Sequence, residues 1–348
     1  MDNLTHSLFS SFLYRAYFES RMRTNLSLWI VGANLPDIDI VSLFWSRSAY
    51  LEHHRGITHS VVGILLEAPI LALAFYLWSR RQKKPLSYTY LLFSSLITLA
   101  THPLLDWLND YGIRPWLPFD NRWYYGDLLF VVDPLIWLLL GAGLYLTSKN
   151  SFRTKLFYGF IGTLIWLLVL SAPQPTGLFK LIWTALFLVV VITKRPQPST
   201  TYTVVTGLLL CYLLLLAAMQ QKALLLAAST MPSQARFSVS PTVANPFEWR
   251  VYAQDSDWFY YGRVNVLRNS TGQTISKIAS YIRHPAAVKA RMTSEGMVAF
   301  DFCRYPIVEI DTTQSRTRVT ITDGRYTEPT EKQRKSFSTI TVELSEQY

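Results

Sequence analysis

Six long apolar stretches dominate this chain, and each is of a length suited to a helix that crosses a lipid bilayer. A helix needs about twenty mostly apolar residues to span the hydrocarbon core of a membrane. A chain with several such stretches is therefore predicted to fold as a bundle of membrane helices. The six stretches cover residues 60–78, 88–108, 128–147, 154–172, 178–193 and 201–226.

The charge content agrees with a membrane location. Half of the residues are hydrophobic and only 16% are charged, whereas about a quarter of the residues are charged in a typical soluble domain. The formal net charge is +10, but much of the excess lies in short runs between apolar stretches, such as residues 80–84. No basic and aromatic module accompanies these runs, so we expect no nucleic-acid partner.

The remaining segments predict two further parts of the fold. Residues 4–19 and 26–45 are apolar but interrupted by polar residues, which indicates two shorter helices before the long ones. Pro232, Pro241 and Pro246 indicate a linker. We therefore predict an α-helical polytopic membrane domain over 1–230 and a mainly β domain over 231–348. Within the β domain, strands are predicted at 258–267, 297–302, 307–311 and 317–321, and one short helix at 286–291.

The charges of the loops predict the topology. The loops at 79–84, 148–155 and 194–195 are basic, which is typical of loops that face the cytoplasm. The loop at 109–127 is more acidic, and the loop at 173–177 is uncharged, so both are predicted to be external. This alternation predicts a multi-pass protein of the bacterial cytoplasmic membrane. It places the N-terminus, residues 37–59 and the C-terminal domain on the outer, extracytoplasmic side.

The clustering of histidine is the strongest functional signal in the sequence. Five of the six histidines lie within the first 102 residues. These five histidines and three aspartates lie in four short segments. The histidines and aspartates of these segments are His6, Asp37, Asp39, His53, His54, His59, His102 and Asp106.

Imidazole and carboxylate groups together suit a divalent cation such as zinc, and a catalytic zinc site leaves one position for water. His102 and Asp106 are four residues apart, so one face of a helix presents both of them. His54 and His59 flank a bend that contains Gly56, which allows both side chains to point inward. The sequence therefore predicts that these segments contribute to one metal site.

The predicted topology supports the same site independently. Asp37 and Asp39 follow Pro36 near the end of a predicted helix, where at least one carboxylate can reach an ion. All four segments fall near the outer ends of their helices, although the loop charges were counted without the histidines. Ionisable groups at such positions are costly and usually functional.

Two alternatives belong to other classes of protein. One is a metal-dependent transporter, in which His59, Glu67 and Asp133 line a path through the membrane. The other is a non-catalytic assembly or stress protein, in which the metal is a structural staple and the β domain binds a partner. Other catalytic chemistries lack their motifs, because the chain has no Gly-x-Ser-x-Gly elbow, phosphate-binding loop or dinucleotide fingerprint.

Four motifs resemble those of a bacterial family of inner-membrane, metal-dependent hydrolases, one of whose members is a LexA-regulated membrane hydrolase. They are Thr-His-Ser at 5–7, Pro-Asp-Ile-Asp at 36–39, His-Arg-Gly-Ile-Thr-His-Ser at 54–60 and His-Pro-Leu-Leu-Asp at 102–106. The resemblance covers roughly residues 1–175. That family is in turn distantly similar to the zinc-dependent phospholipase C and nuclease group, whose members hydrolyse phosphoesters.

The resemblance implies a membrane-bound hydrolase that acts on a lipid or lipid-linked phosphoester at the outer face of the membrane. Further ligands of the phospholipase group have no counterpart here, which predicts one or two ions, with zinc as the preferred metal. Asp37 or Asp39 is predicted to act as general base, and Arg55 to neutralise an anionic group. The predicted partners are membrane lipid and a lipid-like substrate. The predicted metal ligands are His6, Asp39, His54, His59, His102 and Asp106.

Overall fold

The computed structural model of this chain describes residues 1–22, 24–149, 151–173, 175–268, 275–313, 316–327 and 336–345. The chain forms two compact units. The first unit comprises Met1–Ile38, Ile57–Ala218 and Pro241–Pro246, and the second comprises Asp39–Gly56, Met219–Ser240 and Phe247–Tyr348. The segment Asp39–Gly56 thus belongs to the same unit as most of the C-terminal region, which the sequence does not indicate.

Helices account for most of the first 228 residues. Two of them continue into other helical forms, since α1 is followed by a π-helical turn at Tyr14–Phe18 and α3 by a 3-10 helix at Leu35–Phe44. The α-helices of this region are α1 (Asn3–Leu13), α2 (Glu19–Met22), α3 (Leu26–Asn34), α4 (Arg47–His53), α5 (Val61–Arg81), α6 (Tyr88–Trp107), α7 (Pro134–Thr147), α8 (Phe152–Ser171), α9 (Gly177–Ile192) and α10 (Pro198–Ala228).

Within the described residues, four helical segments are long and apolar enough to cross a membrane: Leu26–Phe44, α5, α8 and α10. Two further apolar helices, α7 and α9, are shorter. The helix α6 has sufficient length, but its buried side carries serine, threonine, histidine and aspartate residues. The helical region therefore has about four candidate spans, and the count of six spans stays a prediction.

The helix predicted at 128–147 begins later than expected, at Pro134. Asp133 caps it, because its Oδ1 atom accepts the backbone N–H groups of Leu135 and Ile136 at 2.9 and 3.2 Å. An aspartate followed by proline is a typical helix start, since proline at the first helical position has no N–H that needs a partner. Apolar character alone therefore placed this boundary wrongly.

Hydroxyl groups join α1, α3 and α6 inside the first unit. Ser10 Oγ on α1 and Thr98 Oγ1 on α6 both donate to the backbone oxygen of Trp29 on α3, at 2.8 and 2.7 Å. Small and hydroxylated residues allow helices to approach closely, and such hydrogen bonds add to their association in a membrane. Three of the four motifs lie on these helices or directly after them, so this packing positions them.

The second unit contains two antiparallel sheets, with strand orders β1-β2-β3-β4 and β5-β6-β7. An aromatic and aliphatic core of Tyr252, Phe259, Tyr305 and Ile307 is fully buried. The strands are β1 (Arg236–Thr242), β2 (Asn245–Gln254), β3 (Trp258–Asn265), β4 (Ser276–Ala279), β5 (Pro306–Thr312), β6 (Arg316–Asp323) and β7 (Ile340–Ser345). Two helices, α11 (Pro285–Ala290) and α12 (Ser294–Phe302), lie between β4 and β5 in the chain.

An antiparallel-sheet C-terminal region is therefore confirmed, and so is the short helix near residues 286–291. Two local predictions were wrong. Residues 297–302 lie in α12 rather than in a strand, because Thr293 caps a helix by accepting the N–H of Gly296 at 3.1 Å. The predicted linker is partly structured, because Pro241 lies in β1 and Pro246 in β2.

Candidate metal centre

Four side chains from three segments of the first unit meet at one point. Asp37 comes from the 3-10 helix that continues α3, and His59 ends a 3-10 turn at Ile57–His59. His102 and Asp106 lie one turn apart on α6. One nitrogen or oxygen atom from each of the four lies within 4.8 Å of those of the other three, so the group could hold a metal ion.

The four distances between the histidine nitrogens and the carboxylate oxygens are nearly uniform. The Nε2 atom of His59 lies 3.5 Å from Asp37 Oδ1 and 3.4 Å from Asp106 Oδ2. The Nε2 atom of His102 lies 3.3 and 3.4 Å from the same two oxygens. Hydrogen bonds from a ring N–H to an oxygen are usually shorter, at about 2.7–3.2 Å. Each nitrogen thus faces two carboxylates at more than typical hydrogen-bond length.

These four nitrogen–oxygen separations match those between neighbouring ligands of one tetrahedral ion. Ligands that bind zinc at 2.0–2.2 Å are about 3.3–3.6 Å apart along the edges of a tetrahedron. Neighbouring ligands of an octahedral magnesium ion, at 2.0–2.1 Å, would be only about 2.8–3.0 Å apart. Two imidazoles and two carboxylates also form a donor set that favours zinc over a hard, oxygen-seeking cation. The residues present therefore fit a zinc-like ion.

The tautomer of His102 strengthens this interpretation. Its Nδ1 atom lies 2.6 Å from the backbone oxygen of Ala33, and because that oxygen can only accept, Nδ1 carries the proton. In the neutral ring, Nε2 then presents a lone pair to the two carboxylates. The Nε2 lone pair and the carboxylate oxygens are all hydrogen-bond acceptors and repel one another. Their close approach therefore requires either a cation between them or a second proton on the His102 ring. A hydrogen bond to the distal nitrogen of a metal-binding histidine is also the usual way in which its orientation is set.

The backbone around His59 has little freedom. Ser60 caps α5 by accepting the N–H of Gly63 at 3.0 Å. A Cβ atom at Gly63 would lie only 1.9 Å from the backbone oxygen of Ile57. Glycine is therefore required at this position for the turn Ile57–His59 to pack on the first turn of α5. This contact places the His59 side chain, which is fully buried.

His6, a predicted ligand, lies beside the four-residue group rather than within it. Its ring stacks on His102, with 3.8 Å between the centroids and 10° between the planes. Its Nε2 atom lies 3.4 Å from Asp106 Oδ1, and the amino group of Met1 contacts the same oxygen. His6 thus faces the carboxylate oxygen of Asp106 that does not face His59 and His102.

Asp39, His54 and Arg55 belong to the second unit and contact one another. Asp39 Oδ1 lies 2.8 Å from His54 Nδ1, and Asp39 Oδ2 accepts the backbone N–H of Arg55 at 2.9 Å. The His54 ring stacks on Tyr50 at 4.7 Å. The assignments of Asp39 and His54 as ligands, and of Asp37, Asp39 and Arg55 as catalytic residues, stay predictions.

Two asparagines near the centre were not predicted from the sequence. Asn3 Nδ2 donates to Asp37 Oδ2 at 3.0 Å and to Asn34 Oδ1 at 3.2 Å. Both residues lie within three positions of a motif, since Asn3 precedes His6 and Asn34 precedes Asp37. An amide side chain one helical turn from a candidate ligand is a signal for a residue that hydrogen-bonds to that ligand. Such amides are too common, however, for the signal to identify the residue alone.

The segment that follows α6 is anchored to the helices that carry the site. The N–H of Val61 donates to Pro115 O at 3.0 Å, and that of Gly126 donates to Trp107 O at 2.7 Å. The buried guanidinium of Arg114 stacks over Trp123 at 4.6 Å. This loop therefore folds back onto the start of α5 and the end of α6.

Comparisons with known proteins place the chain among membrane proteins. No solved structure matches it significantly. Over 109 residues it is 28% identical to "Uncharacterized protein YfhP" of Bacillus subtilis (strain 168), a match that covers 31% of this chain and 32% of that protein. The chain thus spans about a third of the length of this relative. The family described as YdjM inner membrane protein matches residues 1–175, a region that contains all four motifs. The chain belongs to the YdjM inner membrane protein family.

Proposed function

We propose that this protein is a membrane-bound, metal-dependent hydrolase that acts on an amphiphilic phosphoester at the outer face of the cytoplasmic membrane. The observation that carries the proposal is the environment of His102 Nε2, which faces the Asp37 and Asp106 carboxylates at 3.3 and 3.4 Å. Because Nδ1 of the same ring donates to Ala33 O, Nε2 of the neutral ring faces these carboxylates with a lone pair, an arrangement that a bound cation would stabilise.

Each residue of the site would have a distinct task. A bound zinc-like ion would lower the pKa of a water molecule toward about 7 and stabilise negative charge on the substrate. His59, His102 and Asp106 are buried and would hold the ion, with Asp37 as the fourth ligand. Asp39, two residues further along the same 3-10 helix, would take the proton from water.

Anion recognition would fall to arginine. Arg55 directly follows His54, and its buried side chain offers a fork of donors that suits a phosphate group. Arg114, in the loop after α6, is buried as well. A phosphoester substrate therefore suits the chain better than a neutral sugar does.

Exposed aromatic residues support a lipid-like substrate. Trp107 ends α6 one residue after the ligand Asp106, and Trp116 and Phe119 follow in the loop, all with exposed side chains. Tryptophan is enriched where helices leave the bilayer, at the depth of the lipid headgroups. A site flanked by these side chains would meet the headgroup of a lipid rather than a soluble molecule.

One observation favours a second function, in which the metal is structural. Structural zinc sites usually have four protein ligands, whereas catalytic sites have three and an open position. Asp37, His59, His102 and Asp106 together supply four. The second candidate is therefore a non-catalytic membrane protein in which the ion joins the 3-10 helix after α3 to α5 and α6.

Metal analysis combined with an activity screen separates these functions. We expect purified protein to hold about one or two divalent ions per chain, and to release phosphate or a phosphorylated headgroup from bacterial lipids in micelles. Chelation should abolish turnover. His102→Ala should lose both the metal and the activity, whereas His53→Ala, at an exposed histidine outside the group, should lose neither.

The outcomes differ clearly between the candidates. Stoichiometric metal whose removal unfolds the protein, with no turnover across phospholipids and lipid-linked pyrophosphates, would favour the structural role. Equal metal content in wild type and His102→Ala would exclude the metal centre itself.

A further inference from the structure

Asp37 differs from the other three ligands of the group in its exposure. The side chain of Asp37 is 19% exposed, whereas those of His59, His102 and Asp106 are 0–1% exposed. A ligand can leave an ion only if it has space to move into. Among these four residues, only Asp37 borders on such space.

The two oxygens of Asp37 have different partners. Oδ1 faces the Nε2 atoms of His59 and His102 at 3.5 and 3.3 Å. Oδ2 accepts a hydrogen bond from Asn3 Nδ2 at 3.0 Å. One oxygen of the Asp37 carboxylate thus faces the two histidines, and the other is bound to an amide donor. Only Oδ1 is therefore placed to bind an ion.

A chain of amide groups fixes the position of Asn3. Its Nδ2 atom also donates to Asn34 Oδ1 at 3.2 Å. Asn34 in turn donates to Ser7 Oγ at 2.9 Å and to the backbone oxygen of Ile30 at 2.8 Å. Asn3 and Ser7 belong to α1, and Asn34 ends α3. The amide that contacts Asp37 is therefore held by two helices.

Catalytic zinc sites usually have three protein ligands and an open position, so an ion with four protein ligands admits a substrate oxygen most readily when one of them leaves. The ligand that leaves the ion should have space to move into. A hydrogen-bond donor should also remain in contact with it, so that its charge is still compensated after it has left the ion. Asp37 meets both conditions, because it is partly exposed and Asn3 donates to it. Asp106 also keeps a donor, the amino group of Met1. However, Asp106 and the two histidines are enclosed by the packed helices and have no space to move into.

We propose that Asp37 is the exchangeable ligand of this centre and that Asn3 is the residue that positions it. This inference rests on the metal centre proposed above. Asn3 holds Oδ2 away from the ion, so that Asp37 occupies one ligand position and leaves it when an anionic substrate arrives. Without Asn3, both oxygens of Asp37 turn toward the ion and block the position that the substrate needs.

The test uses the full chain in detergent, loaded with Co²⁺, with inorganic phosphate as the probe. The visible absorption of the bound Co²⁺ reports its coordination, and a phosphate titration gives the affinity at the open position. We expect Asp37→Ala to keep Co²⁺ and to bind phosphate about 10-fold more tightly than wild type. Asn3→Ala should instead bind phosphate about 10-fold more weakly, a size typical for loss of such an outer partner.

Asn25→Ala is the matched control. Asn25 stands at the other end of α3, and its side chain makes no capping hydrogen bond. This variant should match wild type in both the absorption spectrum and the phosphate affinity. A purely structural role of Asn3 would lower the amount of folded, loaded protein but would not change the phosphate affinity of the loaded fraction.

The outcomes separate this inference from the proposed function. A wild-type protein that takes up no Co²⁺ would refute the metal centre. Normal loading of wild type, with unchanged phosphate affinity in Asp37→Ala and Asn3→Ala, would overturn only the exchange of Asp37. If Asp37→Ala lost Co²⁺ to the same extent as His102→Ala, Asp37 would be a fixed ligand, and the proposed exchange of Asp37 would be overturned as well.

Discussion

Arg55 holds a backbone conformation that side chains rarely adopt. Its φ angle is 54°, in the left-handed region, although the next residue is a glycine that could take this conformation freely. The Arg55 N–H donates to Asp39 Oδ2 at 2.9 Å, which holds the turn in place. Strain of this kind costs about 1–3 kcal/mol and is found most often at functional sites. We infer that the side chain is kept for its charge.

Replacement of Arg55 by glycine should separate stability from activity. We expect Arg55→Gly to change the free energy of unfolding by no more than about 1–2 kcal/mol, because the relieved strain offsets part of the packing that is lost with this buried side chain. Phosphoester turnover should fall at least about 10-fold, because an anionic group loses its partner. Thermal unfolding and lipid turnover measure the two effects.

Lys83→Gly supplies the control, since Lys83 also has a positive φ, 55°, and lies in an exposed loop. Because its side chain is exposed, Lys83→Gly should gain stability from the relieved strain alone and keep its activity. Similar turnover in Arg55→Gly and Lys83→Gly would show that Arg55 does not bind the substrate.

The thiol of Cys303 should react slowly with thiol reagents in the folded protein. Burial raises the pKa of its thiol well above the ordinary value, and the nearby Asp323 carboxylate acts in the same direction. The thiolate is the reactive form, so a group that stays protonated and enclosed reacts slowly. In a Cys211→Ala background, we expect maleimide labelling of Cys303 to stay slow between pH 7 and pH 9 and to become fast in denaturant.

The same shift sets the sign of a pH effect on stability. Because the folded pKa is raised, the unfolded thiol ionises first as the pH rises. The contribution of Cys303 to stability is therefore present below the pKa of the unfolded thiol and is lost above it. Rapid labelling of the native protein at pH 7 would show that Cys303 is accessible, contrary to this prediction.

At the level of elements, the close approach of α3 to α6 determines the geometry of the candidate metal centre. A Cβ atom at Gly32 would lie 2.3 Å from Thr98 Cγ2 and 3.1 Å from Leu71 Cδ2. Gly32 immediately precedes Ala33, whose backbone oxygen accepts from His102 Nδ1. The distance between these helices therefore also sets the orientation of the His102 ring.

Gly32→Ala should separate α3 from α6 and weaken metal binding. We expect the free energy of unfolding to fall by about 1–3 kcal/mol, as is typical of overpacking, together with a measurable loss of metal affinity. Gly141→Ala is the control, because a Cβ atom at Gly141 of α7 would have no neighbour within 4 Å. The control should be neutral or slightly stabilising. Equal stability and metal affinity in both variants would contradict the role of Gly32.

The sequence predicted most elements but misplaced those in which local signals compete. Residues 297–302 include valine and two phenylalanines, which favour a strand, yet the Thr293 cap and Glu295 in the first turn favour the helix that forms. Pro241 and Pro246 resemble linker residues, although proline is tolerated at strand ends and edges. In the first case a competing local signal decides the structure, and in the second the pairing of β1 with β2 does.

The ligand group was more predictable than its surroundings. His59, His102 and Asp106 could be found because buried histidines and aspartates are rare in apolar helices. Asn3 could not be identified, because its role depends on the packing of α1 beside the end of α3. The contact between Asp39 and His54 was likewise missed, since it joins residues 15 positions apart across the turn that leads into α4.

At the level of the whole molecule, the family match and the candidate metal centre share the same half of the chain. The matched residues, 1–175, include every residue of the ligand group and end just after α8. The strands of the second unit lie beyond them. The strands of the C-terminal region therefore lie outside both the family match and the candidate ligand residues.

The direction in which the chain enters the membrane decides which substrates the site can reach. The basic loops predict that residues 79–84 and 194–195 face the cytoplasm, which would place the metal centre and the C-terminal region on the outer side. Probe positions must be exposed in the folded protein. Ser87, Ser199 and Ser294 meet this condition.

Accessibility of introduced cysteines tests this topology. In a background without Cys211 and Cys303, we expect Ser87→Cys and Ser199→Cys to be protected from a membrane-impermeant thiol reagent in spheroplasts, and Ser294→Cys to react. All three should react once the membrane is permeabilised, which controls for burial within the protein. The expected pattern follows from positive charges staying on the cytoplasmic side during insertion. The reverse pattern would place the metal centre in the cytoplasm, and the substrate would then have to be sought among lipids of the inner leaflet.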